Sequence, residues 1–203
     1  MSSLTSKSYY LPIATRNMLR QHFGRAPLQG YPALLRCQYV PDQRVDGEDV
    51  AGSLRVDMYG EWNPSRAGTV PALIVKKGDL GTVALGIGDR HMSPGMTNLK
   101  GERYYTLGYA GSLLLFCVSR APAQAELIAL SAAEYLQQFS DQIKSRACLT
   151  SYRVQQIKAV KPLQEHPTYL ASVVVIEYGF FESWSVTPAA PVLSRVETQI
   201  ASQ

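Results

Sequence analysis

Apolar positions recur at intervals of three and four along the stretch from Pro122 to Lys144. Ala125, Ile128, Ala132, Tyr135, Phe139 and Ile143 fall on one helical face, with Leu136 beside them. Gln124, Ser131, Gln138 and Ser145 recur at sevens and form a polar seam. Pro122 suits a first helical turn, where its missing N–H would have had no partner anyway. Glu126 lies near the positive end of the helix dipole, and Lys144 and Arg146 lie near the negative end. The spacing predicts an amphipathic helix over 122–144 whose apolar face needs a cover, and the apolar runs on either side are the candidates.

Before that helix the pattern changes several times. Residues 6–23 read as a helix, firmest after Pro12, with a stripe through Tyr10, Ile13, Ala14, Met18 and Phe23 turned to a core and Gly24 as its stop. ALLRCQYV, within residues 30–41, reads as a strand, and the acidic, turn-rich residues 42–52 read as a loop. From Ser53 to Trp62 the chain alternates: Leu54, Val56, Met58 and Gly60 on one side, Arg55, Asp57, Tyr59 and Glu61 on the other. That is a half-exposed strand. Ala72 to Val75 reads as a short buried strand, Gly78 and Gly81 mark a turn, and Thr82 to Ile87 reads as the return strand. Asp89 to Gly101 has no periodicity and reads as a long loop, a kind of segment that often carries function.

Arg103 to Tyr109 and Gly111 to Ser119 read as one long strand or two short ones, with a continuous apolar run that implies burial. After the organising helix, Thr150 to Val160 and Tyr169 to Phe181 read as two closing strands. The order helix, strands, helix, two strands defines an α+β fold: a mostly antiparallel sheet with helices packed on one face. Residues 1–184 are expected to form one domain, and 185–203 an extended C-terminal arm with a weak helix over 192–200.

Composition narrows the function classes. With 203 residues, 46% hydrophobic and 18% charged, the chain can bury a real core. The formal charge is +4, but no basic run exceeds the pair Lys76–Lys77, whereas nucleic-acid modules cluster their basic residues more strongly. Cys37, Cys117 and Cys148 are far apart and form no CxxC pair, which argues against a cysteine zinc site and against a disulfide framework. Cys117, inside LLLFCV, reads as a small core residue. The N-terminus lacks the apolar core of a signal peptide, and the run Leu113 to Val118 is too short to span a bilayer, so no membrane partner is expected.

Candidate chemistry is sparse. GIGDRH (Gly86 to His91) begins like a dinucleotide fingerprint, but His91 stands at the third glycine position and a loop follows instead of a helix. His22, His91 and His166 are scattered, with no HxH or HxxxH pair, so Asp89 and His91 are weak metal ligands on pattern alone. No P-loop and no GxSxG elbow is present. Glu126 and Glu134 are eight apart and do not converge as an acid–base pair. Nothing here predicts a catalytic, cofactor or metal site, and the pattern favours a structural or assembly protein over an enzyme.

One resemblance adds to this reading. VPALIVKKGDLGTVALGIGDRH (Val70 to His91), the strand GSLLLFCVS with Arg120 after it, the Ala125–Glu126 pair opening a helix, and two closing strands ending in an aromatic segment, Tyr178 to Trp184, resemble phage neck and tail-completion proteins of the tail-terminator type. The resemblance covers about Val70 to Trp184. It implies a virion structural protein, assembled in the host cytoplasm, that forms a homo-oligomeric ring, usually of six. Such a ring would cap the tail tube, meet a head-completion or stopper protein, and let DNA pass through its centre without specific binding. A closed ring needs a heterologous interface. The sheet edge and the loop residues Asp89, Arg90, His91, Met92, Met96 and Lys100 are the expected interface, against the plainer reading of solvated loop residues.

Three other readings stay open on the sequence. One is a head–tail stopper or adaptor on the portal side. Another is a nucleic-acid-binding module using Lys76, Lys77, Arg90, Lys100 and Arg103. The third is an enzyme centred on Asp89 and His91.

Overall fold

A computed structural model describes residues 4–24, 54–62, 70–83, 93–97, 103–164 and 166–186. Its elements in chain order are α1 (Leu4–Gly24), β1 (Arg55–Met58), β2 (Ala72–Val83), β3 (Ser93–Thr97), β4 (Arg103–Ser119), α2 (Pro122–Gln138), α3 (Ser140–Ala147), β5 (Ser151–Pro162) and β6 (Leu170–Val186). The fold is α+β, with a mostly antiparallel sheet and the helices on one side of it. The main path of the sheet is β1-β2-β4-β6-β5, with β3 paired to β4. β1 and β2 are parallel, in register from Arg55 opposite Ala72 to Met58 opposite Val75. β4 and β6 run antiparallel, since Thr106 meets Ser183 and Gly111 lies against Tyr178.

Among the described residues, one compact unit holds Met1–Gly81 with Ala110–Phe180, and a second holds Thr82–Tyr109 with Phe181–Gln203. The core belongs to the first. Alternate residues of β4 (Leu113, Leu115, Cys117) and of β6 (Val174, Ile176, Tyr178, Phe180) are buried, the period of two that puts one set of side chains on one face. Above them α2 buries Ala125, Ile128, Ala129, Ala132 and Leu136. This is the apolar face that the spacing picks out, and burying it supplies most of such a helix's stability. Gly111 lets Tyr178 close on the sheet: a Cβ there would lie 2.6 Å from Tyr178 Cζ.

Several expectations need correction. The periodic stretch 122–144 is two helices, because Phe139 (φ −97°, ψ 12°) leaves helical geometry and α3 starts after it. The hydrogen-bond ladder survives the bend, since Phe139 N–H donates to Tyr135 O and Ile143 N–H donates to Phe139 O. Ser131, assigned to the polar seam, is buried, with its hydroxyl 3.1 Å from His22 Nε2.

In α1 the buried stripe is Leu11, Thr15, Leu19 and Phe23, while Tyr10 is 56% and Ile13 43% exposed. An apolar criterion passes over Thr15, which is polar yet sits in the core-facing row. Gly78 and Gly81 make no turn; β2 runs unbroken through both. Gly78 instead serves close packing, since a Cβ there would collide with Ser112 Oγ. The expected loop 89–101 contains a strand, β3. The expected strand within 30–41, the loop 42–52 and the arm beyond Val186 lie outside the described residues.

Candidate functional site

Of the expected interface residues, Asp89, Arg90, His91, Met92 and Lys100 lie outside the described residues. Met96 is in β3, within a register irregularity between Pro94, opposite Tyr105, and Thr97, opposite Arg103. Among the described residues no group of three His, Cys, Asp or Glu side chains could hold a metal ion, and no helix is long and apolar enough to cross a membrane.

A feature of the first unit that sequence reasoning missed is a groove of about 550 Å³ on the face of the sheet away from the helices. It arises from simple alternation. On β2, Leu73 and Val75 go to the helix side, so Ile74 and Lys76 point the other way. On β4 the same rule turns Phe116 and Val118 outward, and on β6 it turns Ala171 and Val173 outward. Ala72, Ile74, Val118 and Ala171 form a buried cluster there, with Trp62, Phe116, Leu163 and Tyr169 packed against it. The floor of the groove is Ile74, Phe116, Ala171 and Val173, one wall is Tyr59 and Trp62, and the rim carries Lys76, Lys158 and Lys161. No Asp or Glu is among the described residues that line it. Lys76 Nζ stands 4.2 Å from the Tyr59 ring centroid, a cation–π contact that holds the ammonium at the rim.

Among the described residues, both edge strands, where the sequence reading placed part of an interface, carry features that oppose pairing with another strand. At β1, Arg20 Nε of α1 donates to Val56 O at 2.9 Å, and its guanidinium meets Asp57 Oδ1 at 3.3 Å. Four residues earlier on α1, Arg16 forks onto both oxygens of Glu61 at 3.0 and 3.1 Å. At β5 the register slips twice, between Val154 and Gln156 and between Lys158 and Lys161. Val154 N–H on that strand donates to Gln137 Oε1 of α2, and the strand ends at Pro162. Bulges, edge lysines and proline are the devices by which natural sheets block edge-to-edge addition.

The side of α2 that borders β5 is the second surface of note, where Glu126 and Leu130 line a groove with Ile157, Lys158 and Ser172. Glu126, Leu130 and Glu134 stand four apart and are all exposed, Leu130 at 38%. Among the described residues, burial pushes the Cys117 thiol up, and the Tyr152 and Tyr178 phenols likewise. A thiol held neutral is a poor nucleophile.

No protein-family model matches the chain, and no curated protein matches it.

Proposed function

We propose that this chain is a structural subunit of a phage neck, forming a ring that terminates the tail tube and joins the tail to the head. The observation that carries the reading is the order of elements from Ala72 to Val186. A strand bearing ALIVKKG, an apolar strand ending at Ser119, a helix opening at Pro122 with Ala125–Glu126 in its first turns, and two closing strands come in the order of the tail-terminator resemblance, although β2 runs on where that pattern has a turn and β3 stands within its long loop. The blocked edges and the half-apolar open face add to it, because a ring subunit must present surfaces that close with copies of itself while avoiding open-ended strand addition. In this reading six copies surround the passing DNA, the tail tube protein lies on one side and a head-completion protein on the other. The ring acts by shape and contact, with no reaction catalysed.

The test is to add the purified chain to tail tubes and image their ends. Caps on one end of the tubes, and arrest of further tube growth, are the expected result. Tubes that keep growing with bare ends at saturating protein overturn the reading.

A further inference from the structure

We infer that the lysine-rimmed groove on the open face of the sheet is a docking site for an extended peptide segment of a partner protein, apolar at its centre and acidic on both sides. The inference goes beyond the ring reading and does not depend on it.

Strand register builds the site in rows. Across β5 and β6, Lys158 stands opposite Val173 and Lys161 opposite Ala171. Directly paired residues share a face of the sheet. Each of these two floor residues therefore meets a lysine one strand further out. At the other side of the floor, Lys76 follows Ile74 on β2 with the same facing, and its ammonium is held over the Tyr59 ring. Three strand spacings part β2 from β5, about 14 Å. Positive charge thus stands on both sides of an apolar floor, and no Asp or Glu is among the described residues that line it. Lys158 also borders a second groove with Glu126, so the charge of the site rests on Lys76 and Lys161. Among the described residues, neither of those two meets a carboxylate in an ion pair.

These features select the occupant. A ligand with one anionic head meets one side of the floor only. An extended peptide rises about 3.3 Å per residue, so carboxylates four positions apart, about 13 Å, reach both sides. Apolar residues between them cover Phe116 and Val173, which are half-buried, and taking that surface out of water favours binding. The lysines then set register and partner choice by charge. Side chains bind the segment, not an added strand ladder, because the edge strands carry features that oppose pairing. Nucleic acid fits this floor less well: the floor is largely aliphatic and Lys76 covers one face of Tyr59, whereas base stacking needs free ring faces.

The experiment titrates the full chain into a dye-labelled, capped peptide, Glu-Glu-Leu-Val-Leu-Glu-Glu, and reads fluorescence anisotropy. Saturable binding is expected. Lys161→Glu is expected to weaken it at least tenfold. Arg146→Glu makes the same change of charge on α3, on the helix side of the sheet, and is expected to leave affinity within twofold. Both positions are exposed, and thermal unfolding of each variant serves as the folding control. A peptide with Lys in place of every Glu is expected to prefer the Lys161→Glu chain to the unaltered one. No binding at about 1 mM, a concentration that half-fills even a weak site, overturns the inference. Equal loss in the two variants also overturns it, since that marks general attraction to a chain of formal charge +4. Undiminished binding of a peptide with Ser at its three central positions overturns it as well, because the floor is then unused. A short single-stranded DNA that binds more tightly than the peptide, and loses that binding in Lys161→Glu, overturns it in favour of a nucleic-acid groove.

Discussion

Cys117 and Cys148 sit in opposite surroundings, and their chemistry should differ accordingly. Cys117 is fully enclosed in β4 under α2, and burial raises its thiol above the ordinary value, so it stays neutral and out of reach. Cys148 is exposed at the end of α3, in a left-handed conformation with φ 52° that lets Leu149 N–H close the helix onto Lys144 O. Treating the native chain with a maleimide at neutral pH should modify Cys148 and leave Cys117 untouched until the protein is denatured, read by mass spectrometry of the peptides. Equal labelling of Cys117 in the native chain would contradict the burial of β4. Cys117 as a core residue was legible from its apolar run. The pairing of His22 with Ser131 and the stacking of His22 on Tyr135, with ring centroids 4.1 Å apart, were not. Those partners lie more than a hundred positions apart, and no local period links them.

At the scale of elements, the period of two and the period of three to four carried most of the information. The two closing strands, the helix opening at Pro122 and the long apolar strand follow directly from them. The misses share a physical cause: a residue doing a job its type does not advertise. Thr15 sits in a buried row, so the apolar residues of α1 suggest a neighbouring stripe. Gly78 permits close packing inside β2, so a turn signal stands where no turn is made. The groove was half legible, since Lys76 shares a face with Ile74 by alternation. Its other lysines come from a strand 80 and more positions later, and only the strand order brings them together.

The join of α1 to β1 is also invisible in sequence. Arg20 spans it, donating to a backbone carbonyl and a carboxylate. Arg20→Ala should lower stability by about 1–2 kcal/mol, the size of a part-buried charged hydrogen bond. It should also speed amide exchange in Arg55–Met58 while leaving β6 unchanged. Exchange that rises equally in both strands, or in neither, would contradict the local role.

For the molecule as a whole, the proposed function would lie on surfaces. One sheet face is covered by helices and supplies the core. The other is half apolar, with Lys76, Lys158 and Lys161 at its rim, and the edge strands among the described residues carry features that oppose strand addition. Lys158 also lines a second groove, with Glu126 and Leu130 of α2. The proposed ring subunit would have to repeat through such surfaces. The most direct measurement is the mass of the purified chain in solution over a wide concentration range, followed by negative-stain imaging. The account predicts closed rings, six-fold, with a central hole wide enough for duplex DNA. A compact dimer with no ring, and no binding to tube ends, would contradict it.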